Sequence, residues 1–414
     1  MKKTVLLAGV AAATLALASC GGEEKPTEEG KTIELTYSGT GSDKALNESL
    51  FEEWKAERKA AGDKNTYVIE YTDHGPDKVD SEIVDFSDDN APDVFEFASD
   101  KIANLYNKGA LSEITGKYAD FIDTELNPLG QKTATFNGSY YGYTFTGDNT
   151  YYFQYDKSVF TDEDVKTMEG ILAKAKASNK KVGYDLGTAF MSAGLLFTFG
   201  ADYDVQFDED GNVSQIVADF DGVKGQKAIK AMQQIMANDA WSKTVEVPSA
   251  KNGLAGCIAG TWDINNYKDG LGENYGCAPL PTITVDGETK HIGCFVGGKL
   301  LGVNPQRSVD NADRFIAAHE LAMFLAGERA QTVRFTESNV GPCHSKVFES
   351  EAVKANANMQ VLAQQAQWGH SQGAVPGGIW TAPNTLFNSV KDLGAKLDVA
   401  AAAKALNDGI KAVN

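Results

Sequence analysis

Between residues 32 and 109 short β-type runs alternate with helical ones, and that alternation leaves few folds open. Thr32–Tyr37 carries Ile33, Leu35 and Tyr37 at every second position, the period of a strand. Leu46, Leu50 and Trp54 then recur at helical spacing, with Ser42 or Asp43 placed to cap the helix start. A strand at Tyr67–Tyr71, a helix near Lys78–Asp85, a strand at Asp93–Phe97 and a helix around Lys101–Lys108 follow, the last ended by Gly109. Strands that alternate with helices build parallel βαβ units, so the fold class is α/β with helices on both sheet faces. Ligands of such sheets bind beyond the carboxyl ends of the strands, which puts Ser38–Ser42 and Ala98–Lys101 on one rim.

Upstream of this pattern the chain reads as a targeting signal. Lys2 and Lys3 are followed by an apolar run from Val5 to Leu17, broken only by Gly9 and Thr14. That run is too short for a bilayer, which needs roughly 20 residues of helix. It ends in Leu17-Ala18-Ser19-Cys20, which resembles the bacterial lipobox, whose cysteine is acylated and becomes the new N-terminus. The resemblance implies a signal over 1–19 and a membrane anchor at Cys20, because two or more acyl chains hold stably where one does not. Residues 20–31 have almost nothing apolar to bury and read as a solvated tether.

A chain of 414 residues is long for one core, and two lobes are the natural division. Its formal charge of −19 repels phosphate backbones, which argues against a nucleic-acid partner. No metal pattern stands out. The four cysteines beyond Cys20 include no C-x-x-C, and the Asp208–Val213 stretch has valine where a calcium loop needs glycine. Asp210-Gly211 is better read as a hairpin turn. In an exported chain those four cysteines permit two disulfides in three pairings; buried free thiols are the alternative. Further helices are expected near Asp162–Ala177, over Gly225–Met236 with Ile229, Met232 and Met236 on one face, and in the Ala-rich last ~20 residues.

Four blocks, in order, carry a family resemblance: Ala91-Pro92-Asp93-Val94-Phe95, Asn137-Gly138-Ser139-Tyr140-Tyr141-Gly142, Ala259-Gly260-Thr261-Trp262 and Tyr275-Gly276-Cys277-Ala278-Pro279-Leu280-Pro281. They resemble blocks of bacterial extracellular solute-binding proteins of the maltose-binding type. The chain departs from that pattern at Thr144 and Thr261, where the family usually has proline. The resemblance implies a hinged, two-lobed periplasmic-binding-protein-like fold (type II), monomeric and without cofactor. It implies a protein that delivers a solute to the permease subunits of an ABC importer. Crossings between lobes would fall near Thr146–Asn149, Ala278–Thr282 and Thr336–Gly341, giving a first lobe of 32–147 and 282–336 and a second of 148–281 and 337–414.

A sugar offers apolar C–H faces and hydroxyl edges, so its site calls for flat rings and for carboxylates or amides. By block resemblance the stacking rings fall on Phe97, Trp262 and Trp380, with Phe190 near a fourth position. The hydroxyl-binding groups fall on Asp100, Lys101 and Asp148, with Asn149 and Asp263 adjacent. Phe97 ends a strand, where a core role competes equally; Trp262 and Trp380 sit in polar or Gly-rich loops that favour partial exposure. Trp54 and Trp241 read as packing residues, and Tyr151 with Tyr152, adjacent on a strand, should face opposite ways. The carboxylates would also suit a polyamine, which Lys101 would repel, or the paired acids of a secreted glycosidase.

Overall fold

The computed structural model describes residues 30–413; the signal, Cys20 and most of the tether lie outside the described residues. The βαβ reading holds. Strands Thr32–Gly39, Thr66–Asp73 and Val94–Ala98 form one sheet, the first pairing in parallel with the other two. The helix Lys44–Ala60 buries Leu50, Phe51 and Trp54 against it. Its expected cap is absent: Asp43 stands at the N-cap position without a side-chain bond to the helix backbone, at the end of a tight turn at Gly41–Asp43. The strands Tyr143–Asn149 and Cys294–Val303 complete this sheet in antiparallel pairs, with Gly369–Ser371 at its edge.

A second sheet runs Trp241–Ser242, Lys181–Gly183, Leu254–Gly260, Tyr151–Asp156 and Tyr275–Ala278. Each sheet has its own core. One gathers Leu35, Trp54, Phe95, Phe97, Leu300 and Leu321; the other gathers Phe153, Ile171, Ile229, Met232, Ile283 and Leu406. Two cores of this size are what a chain this long needs, since single cores stop growing near 250–300 residues.

Local predictions fare unevenly. The hairpin Tyr203–Phe207/Val213–Ala218 turns at Gly211, whose φ of 82° suits glycine. Helices stand at Val223–Met236 and Val399–Lys411. The helix expected from Asp162 starts only at Met168, because Asp164 is used in a turn with Thr161 and Thr167 caps the helix by accepting from the Gly170 N–H. Tyr151 and Tyr152 do face opposite ways, into different apolar clusters. Cys257, Cys277, Cys294 and Cys343 are free thiols, so no disulfide forms among the described residues.

The passages between the sheets position the site. Thr150 alone separates Tyr143–Asn149 in the first sheet from Tyr151–Asp156 in the second. The sequence reading places 282–336 in the first lobe. In the structure the hairpin Thr282–Val285/Glu288–His291 sends Ile283, Val285 and Ile292 into the second core. The chain goes over along the strand Cys294–Val303, whose first residue lies in the second core and whose Leu300, Leu301 and Val303 lie in the first. Its pairing shifts register twice between Gly297 and Leu300.

Candidate functional site

The polar half of the site hangs on strands of the first sheet. After Val94–Ala98, a tight turn at Ser99–Lys101 brings Asp100 and Lys101 to the sheet rim. Lys101 Nζ lies 3.2 Å from Asp100 Oδ2, with both side chains largely covered. Burial pushes the Asp100 carboxyl up, and the Lys101 charge only partly opposes it. For Lys101 burial works against the charge, but Asp100 and Asp80 outweigh it and hold the ammonium above its ordinary value.

Asp148 and Asn149 end the strand Tyr143–Asn149 and are almost fully buried. The Gly341 N–H donates to Asp148 Oδ2 at 2.7 Å, and burial raises the Asp148 pKa against that bond and the Lys299 charge. Asn149 Nδ2 donates to Gln372 Oε1 at 2.8 Å. Gln372 is itself tied to the rim, since its carbonyl accepts from Ser99 Oγ at 3.0 Å.

The aromatic half comes from the second sheet and its helices. Trp262 follows the strand Leu254–Gly260 in a turn and is 51% exposed, among the largest exposed apolar side chains described. Its ring centroid lies 6.1 Å from Phe190 on the helix Ala189–Phe197. Phe190 stacks nearly parallel on Phe295, 5.7 Å away, and Trp380 meets the same Phe295 edge-on at 5.8 Å. Three of the four rings expected from sequence thus converge, and Phe295 joins them.

Thr261 docks the tryptophan turn against the polar half. Its N–H donates to the Thr150 carbonyl at 3.1 Å and its hydroxyl to the Asp148 carbonyl. Proline, usual in the family at this position, could not make the first bond. Phe295 is two residues from Gly297, which pairs with Asn149, so one strand links rings to amide and carboxylate.

Phe97 is the exception. It is fully buried in the first core, 5.9 Å from Phe95, and the structure does not bring it to the other rings. Every residue of its strand is buried, so neither face of the pleat reaches solvent. Asp263 lies half-buried at the start of the helix Ile264–Leu271 and accepts from Asn266 Nδ2 at 3.3 Å, next to Trp262 but turned to its own helix. Trp54 and Trp241 are packing residues as expected, the latter donating Nε1–H to the Tyr184 carbonyl. Sequence reasoning missed Phe295 and Gln372. Phe295 gave no signal, being one apolar residue in a buried strand; Gln372 had one in its polar, Gly-flanked loop.

Two recesses lie elsewhere: about 200 Å³ between Thr381–Ser389 and Ala402–Gly409, and about 590 Å³ around Tyr155, Lys166, Pro281, Gln364 and Trp368. No residue of the ring cluster or of the polar half lines either one. Among the described residues no cluster of His, Cys, Asp or Glu could hold a metal ion.

Known proteins agree with this architecture. The chain is 26% identical to a maltooligosaccharide ABC transporter solute-binding lipoprotein of Streptococcus pneumoniae, over 94% of this chain and 92% of that protein. It is 22% identical to a galactooligosaccharide-binding protein of Bacillus subtilis with the same coverage. A solved maltodextrin-binding protein of L. casei without ligand superposes with a TM-score of 0.75 at 20% identity, covering 92% of this chain and 98% of that one. A cyclo/maltodextrin-binding protein complexed with maltotetraose superposes at 0.70, also at 20% identity, with 93% and 98% covered. These likenesses carry the type II two-lobed binding fold. The model of the bacterial extracellular solute-binding protein family matches residues 56–361, most of the chain, and this chain belongs to that family.

Proposed function

We propose that this protein captures a sugar or oligosaccharide between its two lobes, outside the cytoplasm, and hands it to an ABC importer without chemically altering it. The observation that carries the reading is the division of rings and polar groups between the two sheets. The half-exposed Trp262 packs near Phe190, its neighbour Thr261 bonds the Asp148 carbonyl, and Asn149 is linked through Gln372 to Ser99, next to the Asp100–Lys101 pair. Rings suit the C–H faces of a pyranose and the polar groups suit its hydroxyls. Relatives that bind maltooligosaccharides and galactooligosaccharides support the same ligand class.

We further propose that the chain is monomeric, meets the permease subunits of the importer and is held at the membrane by a lipidated Cys20, in keeping with a relative that is itself a lipoprotein. Replacing Cys20 with Ser should then release it into the soluble fraction; a cleaved variant that stays on the membrane would defeat the anchor.

A thermal-shift screen over maltooligosaccharides, galactooligosaccharides, monosaccharides and polyamines tests the ligand class. Ligand at a hundred times its Kd adds about 2.7 kcal/mol, a shift that is easily read. Stabilisation by polyamines alone would overturn the sugar reading, and shortened products after incubation would make the protein a glycosidase.

A further inference from the structure

The strand Leu254–Gly260 ends directly beneath the Trp262 indole. A Cβ built on Gly260 would sit 2.2 Å from indole Cε2 and Cζ2 and 2.5 Å from Cδ2, well inside contact distance. The indole therefore lies against the backbone of Gly260 with no room for a methyl group between them. The backbone itself makes no demand for glycine, because φ of −67° and ψ of 156° are extended values open to any residue. Nor does the ladder need one: Gly260 pairs with Tyr151 and its carbonyl accepts from Gln154 Nε2, bonds that any residue would keep. What the missing side chain provides is a place for the ring.

From this we infer that Gly260 is a positioning residue for ligand binding, the seat that holds the exposed indole at one height and tilt. Phe190 bounds the ring from another side, 6.1 Å away at 46°. Between seat and wall the indole keeps a fixed plane although half of it faces solvent, so a ligand need not spend affinity on ordering it. The inference rests on the sugar reading for its functional meaning but not for its geometry.

A double-mutant cycle with Gly260→Ala and Trp262→Ala separates the two. In the ligand-free protein Gly260→Ala should change the near-ultraviolet circular dichroism of tryptophan, while the same change on the Trp262→Ala background should leave the spectrum as it was. The melting temperature should fall on the native background, where the methyl group displaces the packed ring, and should hold or rise slightly on the Trp262→Ala background, where alanine narrows the unfolded ensemble without a clash. With maltotetraose as probe in calorimetry, Gly260→Ala should weaken binding about tenfold on the native background, part of the stacking energy of one ring. On the Trp262→Ala background it should have no effect.

An unchanged tryptophan spectrum in Gly260→Ala would overturn the inference. So would an equal loss of melting temperature or of affinity on both backgrounds, which would make Gly260 a strand residue and nothing more. If the native protein binds neither maltotetraose nor any other sugar, the functional reading falls, and the four ligand-free spectra still decide whether Gly260 seats the ring.

Discussion

The two lobes differ in the chemistry of the candidate site residues they carry. The first supplies charge and amide, with Asp100, Lys101, Asp148 and Asn149, and keeps its one candidate ring, Phe97, inside its core. The second supplies rings: Phe190 and Trp380 pack on Phe295, and Trp262 lies against Phe190. For Phe97 and Trp262 the difference follows from where each stands relative to its strand. Phe97 lies within a strand buried on both faces, whereas Trp262 lies just past a strand end, where the pleat no longer dictates direction. A residue type does not make a platform; its distance from the last ladder bond does.

Phe97→Ala tests the comparison hardest. As a fully buried ring it should cost about 3–5 kcal/mol in denaturant unfolding, while the folded fraction keeps most of its ligand affinity. Normal stability with collapsed affinity would move Phe97 to the ligand face and erase the contrast between the lobes.

Trp262→Ala should give the reverse pattern. Binding should weaken by about 2–3 kcal/mol, roughly 30- to 150-fold in Kd, from lost stacking and lost burial. The ligand-free melting temperature should barely move, because the ring is 51% exposed and props up little else. A large drop in melting temperature with unchanged titration would make Trp262 structural.

Phe295→Leu should fall between these patterns and sharpen them. The ring is buried, so stability should drop by about 1–1.5 kcal/mol. It also backs Phe190 and Trp380, so affinity should fall by a similar amount, each ring pair being worth about 0.5–1.5 kcal/mol. Loss of stability alone would reduce Phe295 to filler.

Asp148→Asn should give the smallest effect, and its sign depends on pH. Burial raises the native carboxyl pKa, so the folded state keeps a proton at pH values where the unfolded chain has released it. Native stability therefore falls as pH rises through that window. Asparagine carries no such penalty and can still accept from the Gly341 N–H. The variant should match the native protein below the ordinary Asp value of about 3.9 and exceed it increasingly toward neutral pH. A stability difference that does not change with pH would mean the carboxyl is not held at a cost.

Much of this was legible beforehand, for reasons that differ by residue. The βαβ order of the first lobe showed in the spacing of Ile33, Leu35, Leu50 and Trp54, because a buried face must repeat with its element's period. Trp262 and Trp380 could be placed because polar and glycine neighbours mark loops. Phe97 could not be decided, since a strand end and a strand interior look alike until the partner strands are known. The passage along Cys294–Val303 was misplaced by more than ten residues for a related reason. The hairpin before it has strand character that suits either core, and only packing shows that Ile283 and Val285 join the second.

That same strand has a consequence for how the molecule comes to exist. Cys294–Val303 fills the place between Val94–Ala98 and Tyr143–Asn149, so the first sheet stays incomplete until the ribosome has passed residue 303. Contacts about two hundred residues apart close late and slowly, because the intervening loop's entropy is lost before any pairing rewards it. The N-terminal lobe thus cannot fold as the first unit off the ribosome, unlike domains made of one continuous stretch. This discontinuity acts as a built-in delay, keeping the early part of the polypeptide pliable until strands far along the chain, Cys294–Val303 and then Gly369–Ser371, are made.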